Sequence, residues 1–161
     1  MITDTNQLGD TRTYGYDAVG NQIRTSDRNG RKINYAYDKL NRNTREVWLD
    51  ANNNPVHTFE FEYDAASQLL NAHDPDSAYG YEYDDAGRLT SVNNAGTPGV
   101  PNVVLNYGYD AANNLIEVKD KINGVNRGVE TFAYDKLNRV TSITQSGNGV
   151  SQKRVDMSCD A

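Results

Sequence analysis

The dipeptide Tyr-Asp occurs six times in this chain, at Tyr16-Asp17, Tyr37-Asp38, Tyr63-Asp64, Tyr83-Asp84, Tyr109-Asp110 and Tyr134-Asp135. Copies stand roughly 20–26 residues apart, the length of one supersecondary unit that must stack on its neighbours to bury its apolar side. A chain of this kind is an array before it is anything else.

Aligned on the tyrosine, the copies carry a second aromatic two residues earlier: Tyr14, Tyr35, Phe61, Tyr81, Tyr107 and Phe132. Phe59 and Tyr79 extend the series by two more, and these positions hold every Tyr and Phe of the chain. A spacing of two places side chains on one face of a β-strand. The alternate positions are polar or small, as in Thr58, Glu60 and Glu62, so each copy reads as a strand with one aromatic face.

The aspartate has a separate task. Three residues after it stand Gly20, Asn41, Ser67, Gly87, Asn113 and Asn138. Asp first and Gly or Asn fourth fit a type I turn followed by a left-handed residue, with the carboxylate accepting backbone N–H groups inside the turn. A second strand follows, as in Arg88–Val92, Asn114–Val118 and Arg139–Ile143. Its apolar pairs Leu89/Val92, Leu115/Val118 and Val140/Ile143 lie three apart, which suits a β-bulge or a helix. The Thr, Val and Ile content and the lack of caps favour a strand. Asn29-Gly30, Asn123-Gly124 and Asn148-Gly149 are hairpin dipeptides, whereas Asn52–Pro55 and Asn94–Pro101 are longer loops.

The fold expected is all-β: about twelve strands in one antiparallel array of hairpins forming a curved, twisted sheet. The array spans 1–161 as a single domain, with repeats near 12–31, 32–56, 57–78, 79–102, 103–128 and 129–150. Residues 151–161 form an incomplete seventh repeat or a tail.

Composition excludes several function classes. Net charge is -6 with no basic stripe, which argues against nucleic acid as a partner. No apolar run suits a transmembrane helix, and Met1–Thr5 lacks the features of a signal peptide. The lone Cys159 allows no internal disulfide and lacks the partners of a nucleophile. His57 and His73 have no ligand spacing around them, so each is expected on a strand face or in a loop, and no metal is expected. Asp50–Asn54 offers oxygens without the alternating pattern of a calcium loop. Trp48, outside the frame, is expected to cover a sheet edge or, failing that, to be an exposed contact. One carboxylate per repeat gives no convergent acid–base pair. The chain is read as no enzyme, with no catalytic residue and no cofactor.

Tyr81-Glu82-Tyr83-Asp84-Asp85-Ala86-Gly87-Arg88-Leu89 resembles the repeat of the Rhs/YD-repeat family. The frame recurs with substitutions at 14–21, 35–42, 61–68, 107–114 and 132–139, so the resemblance covers about residues 12–145. It implies hairpins that spiral into a hollow shell. In bacterial polymorphic toxins and insecticidal toxin complexes such a shell encloses a C-terminal toxin domain; in teneurins it is an adhesion scaffold. The family's self-cleaving segment has no counterpart, since Asp74-Pro75 is followed by Asp76-Ser77-Ala78 without the expected glycine. Six repeats are few for a closed shell, so the chain is expected to be a segment of a longer secreted or cell-surface protein or else a short relative of the family. Its partners would be the rest of the shell and the toxin cargo, with self-association through sheet edges as a further expectation. The alternative function is an adhesion module that binds a glycan or protein on its aromatic strand faces.

Overall fold

The computed structural model describes residues 1–158, and every regular element among them is a β-strand. The chain divides into two compact units, residues 1–77 and Ala78 onward. The first contains β1 (Ile2–Thr5), β2 (Thr11–Tyr16), β3 (Gln22–Ser26), β4 (Lys32–Tyr37), β5 (Asn43–Leu49), β6 (Pro55–Tyr63) and β7 (Leu69–His73). The second contains β8 (Ala78–Tyr83), β9 (Leu89–Asn93), β10 (Val103–Tyr109), β11 (Leu115–Ile122), β12 (Val125–Tyr134), β13 (Val140–Gly147) and β14 (Val150–Asp156). Within each unit every strand pairs antiparallel with its successor in the chain, a meander without crossovers.

The all-β hairpin array holds, with fourteen strands among the described residues where about twelve were expected. The extra two flank the six copies. β14 is the strand foreseen at the start of a seventh copy, whereas β1 has no aromatic residue to announce it.

The apolar spacing of three in the second strands is a β-bulge in all six copies. Gly15 pairs with Arg24 and Tyr16 with Gln22, leaving Ile23 as the extra residue. Thr44, Leu70, Thr90, Ile116 and Thr141 are skipped in the same way. One extra residue changes the phase of a period-two strand. Leu89 therefore faces Tyr83 while Val92 faces Tyr81, and both aliphatics lie on the aromatic side. Leu115 and Val118 oppose Tyr109 and Tyr107 likewise, as Val140 and Ile143 oppose Tyr134 and Phe132.

No conventional core forms. Leu49, at 9% exposure, is the one buried hydrophobic residue among the described residues, and no side chain is fully enclosed. The aromatic and aliphatic rows are half-buried. A strand face in one layer covers its side chains only with cross-strand neighbours, so cohesion rests on the ladder and on those pairs.

Candidate functional site: the Tyr-Asp rim

The six Tyr-Asp turns share one hydrogen-bonded ring. In the Asp84 turn, the Asp84 N–H donates to Arg88 O (3.0 Å) and the Gly87 N–H to Asp84 O (2.9 Å). Asp84 Oδ1 accepts the N–H groups of Ala86 (3.0 Å) and Arg88 (2.9 Å). Asp84 Oδ2 accepts Arg88 Nε at 2.7 Å. Asp17, Asp38, Asp110 and Asp135 repeat both Oδ1 bonds and the Oδ2 bond to the fifth residue of the turn. The fourth residue sits at positive φ in every copy: Gly20, Asn41, Ser67, Gly87, Asn113 and Asn138. Gly and Asn tolerate that region; Ser67 at φ 66 is held there by the ring.

These bonds set the aspartate acidity. The Arg88 side-chain bond, with its backbone N–H, holds the Asp84 carboxyl below the usual range. Backbone N–H bonds from Arg42 and Arg139 lead the same effect at Asp38 and Asp135, and the Asn114 amide leads it at Asp110. The carboxylates are occupied as acceptors, the state of a structural cap.

In four of the rings the fifth residue also reaches the following copy. Asn21 Nδ2 donates to Asn41 Oδ1 at 2.9 Å. Arg42 Nη1 donates to Asp64 O, and the Arg42 guanidinium lies 4.9 Å from the centroid of the Tyr63 ring. Arg88 Nη1 donates to Asn113 Oδ1 (2.8 Å) and Asp110 O (3.2 Å), and Arg88 covers the Tyr109 ring at 4.8 Å. Asn114 Nδ2 donates to Asn138 Oδ1 at 3.0 Å. Turn is thus tied to turn along this end of the strands.

The tyrosines add a second tie. Tyr37 Oη donates to Gln22 O (2.9 Å), Tyr63 to Asn43 O (2.9 Å), Tyr109 to Leu89 O (2.9 Å) and Tyr134 to Leu115 O (2.8 Å). Each acceptor is the first residue of the preceding copy's second strand. The ladder to the next strand begins two residues later, at Arg24, Arg45, Ser91 and Glu117. The phenol therefore satisfies a carbonyl that lies beyond the ladder. Burial, with the charges of Asp17 and Glu46, pushes the Tyr37 hydroxyl's pKa up and keeps it a donor. The need for a hydroxyl fits the sequence: the Tyr-Asp position is tyrosine six times, while two residues earlier Phe61 and Phe132 are accepted.

Sequence reasoning missed three further copies of the ring, at Asn6–Asp10, Asp27–Arg31 and Asp50–Asn54. The signal was an Asp or Asn followed three residues later by Gly or Asn, without a tyrosine in front. Asn29-Gly30 belongs to the Asp27 ring, and both residues have positive φ only at Asn123-Gly124. Asp50 spends its oxygens on Asn52 and Asn54 within its own ring.

Trp48 corrects another expectation. It lies in the interior strand β5, paired with Ile33 and His57, so it covers no edge. It meets Phe59 edge-on at 5.7 Å and stays 44% exposed. His57 and His73 lie in β6 and β7. His57, which has no sequence neighbour to pair with, stands beside Asp74 and Asp76. Asp74-Pro75 opens a tight turn closed by Asp74 N–H to Ser77 O at 2.8 Å. Cys159 lies outside the described residues.

The RHS Repeat family profile matches residues 63–98 and 109–150. The chain belongs to the RHS-repeat family. It is 32% identical over 152 residues to double-stranded DNA deaminase toxin A of Burkholderia cenocepacia (strain H111), a match covering 84% of this chain and 10% of that protein. Among solved structures it resembles the TcdB2-TccC3-TEV complex, with a TM-score of 0.59 at 16% identity over 91% of this chain and 10% of that one. The Photorhabdus luminescens Tc holotoxin pore gives 0.59 at 12% identity over 95% of this chain and 12% of that one. The RHS-repeat chain described here thus spans about a tenth of the length of these relatives, and the structural likenesses speak for the fold.

Proposed function

We propose that this RHS-repeat segment is a non-catalytic stretch of shell wall that encloses the toxin domain of a secreted polymorphic toxin. The observation that carries the reading is the copy-to-copy tie. At four boundaries, two in each unit, a turn donates to the next through Asn21, Arg42, Arg88 or Asn114, and the tyrosine of the following copy bonds back across the same boundary. Such ties make a sheet that extends by addition of identical hairpins and needs no buried core, which is what a thin wall requires. The resemblance to toxin-complex chains and to a protein named as a toxin supports the same reading. The ring aspartates act as caps, the tyrosines as cross-ties, and the half-buried aromatic rows as the packed side.

The test is protease protection. In a chain carrying this array upstream of a cargo domain, the cargo should resist trypsin while the array is intact. Joint Arg42→Ala and Arg88→Ala substitution should admit the protease at temperatures the parent withstands. A cargo equally sensitive in both would sink the encapsulation reading. Glycan binding lost on Tyr79→Ala and Tyr81→Ala would favour an adhesion module.

A further inference from the structure

We infer that His57, Asp74 and Asp76 form a site for a borderline first-row divalent cation, zinc being the representative ion. One ligand atom of each residue lies within 4.8 Å of the others. The three come from two elements, β6 and the turn after β7, which the strand register brings together. One imidazole nitrogen with two carboxylate oxygens suits zinc and its first-row neighbours over magnesium or calcium, which prefer oxygen alone.

The His57–Asp74 distance fits a pair of ligands on one ion as well as it fits an ion pair. His57 Nε2 lies 3.3 Å from Asp74 Oδ2, long for a charge-assisted hydrogen bond, which runs about 2.7–2.9 Å. It equals the separation of two ligands on a tetrahedral ion with bonds near 2.0–2.1 Å, roughly 3.3–3.4 Å. His73 and Glu60 make the ordinary contrast: 3.0 Å, one carboxylate, and both side chains well exposed. Around His57 the donors are already positioned. The Asp74 side chain is only 11% exposed; its Oδ1 accepts the N–H groups of Asp76 and Ser77, both at 2.7 Å, which turns its Oδ2 toward His57. The Phe59 and Trp48 rings flank the imidazole at 4.5 and 6.2 Å. Asp76, exposed on the turn, closes the set by side-chain rotation. A bound ion would tie β6 to a turn that lacks the five-residue ring of the first unit's other connections, and would leave a fourth position for water.

Trp48 is the chain's single tryptophan and stands beside His57, so it reports occupancy directly. Titration of the full chain with Co2+ should quench its emission with one-to-one stoichiometry, and Zn2+ should displace Co2+ while Mg2+ and Ca2+ at equal concentration should not. His57→Ala should abolish binding, and Asp76→Asn, at an exposed turn position that leaves the fold intact, should weaken it roughly tenfold or more. His73→Ala should leave it unchanged. Absence of one-to-one binding, binding that survives both His57→Ala and Asp76→Asn, or loss with His73→Ala would each overturn the site.

Discussion

The two ends of the hairpins are built differently. At the Tyr-Asp end the connections repeat one ring, and within each unit side chains run from ring to ring. At the opposite end of the first unit, Asp27 and Asp50 form the same rings. Arg31 pairs with its own Asp27 there and is mostly exposed. In the second unit that end diversifies. Asn123-Gly124 makes a two-residue turn, while the 94–102 loop folds back so that Thr97 Oγ1 both accepts from Ala78 N–H and donates to Ala78 O. Uneven repeat lengths are thus absorbed at one end, while the other keeps the same five-residue connection in every copy. A repeat protein needs only one constant edge to stay in register.

Breaking the constant end should have the largest effect. One residue inserted between Ala111 and Ala112 disrupts the backbone bonds Asp110 N–H to Asn114 O and Asn113 N–H to Asp110 O, and should cost about 1–3 kcal/mol from these alone. Denaturant unfolding of the second unit measures it. Arg88→Ala removes the bonds to Asn113 and Asp110 O and the cover over Tyr109, for about 1.5–3 kcal/mol. Arg31→Ala, at the other end, should fall within about 0.5 kcal/mol of the parent. Equal losses would remove the distinction between the two ends.

Acid should read the rings as a group. The Asp38, Asp84, Asp110 and Asp135 carboxyls are depressed in the folded state. Their stabilisation is therefore complete above the unfolded pKa, about 3.9, and is lost as pH falls through the lower folded values. The urea midpoint should hold from neutral pH to about pH 5 and decline below about pH 4. Asp84→Asn should make that decline shallower, and an unchanged slope would argue against the cap role.

Tyr109→Phe deletes one phenol donor and leaves the Leu89 carbonyl without it, at about 0.5–1.5 kcal/mol. Tyr107→Phe, at the position where other copies hold phenylalanine, should cost less, and a comparable loss would refute the cross-tie role. The smallest effect is expected from a Gly-Ser insertion at Gly99 in the 94–102 loop. Loop closure grows slowly with length, so the change should stay near or below about 0.6 kcal/mol in the same unfolding assay.

Much of this was legible because it is local. Asp84 and Gly87 lie three residues apart, and a carboxylate beside a residue that tolerates positive φ specifies its own turn. The period-two aromatics specify a strand and its face. The Leu89/Val92 spacing could not be read as a face, because one bulged residue, Thr90, shifts the phase and only pairing with β8 shows where it sits. The phenol bonds were invisible for a different reason. Their acceptors are backbone carbonyls 15 to 20 residues upstream, and no side-chain identity marks a carbonyl beyond its ladder.

His57 follows the same division. Its sequence surroundings contain no ligand spacing, and register alone sets it beside Asp74 and Asp76. The sequence by itself determined the hairpins, their turns and which aromatics share a face, since each rests on contacts within a few residues. The tertiary structure decided the bulge phase, the copy-to-copy ties and the His57 cluster, because these depend on which backbone atoms the ladder brings close and which it leaves unpaired.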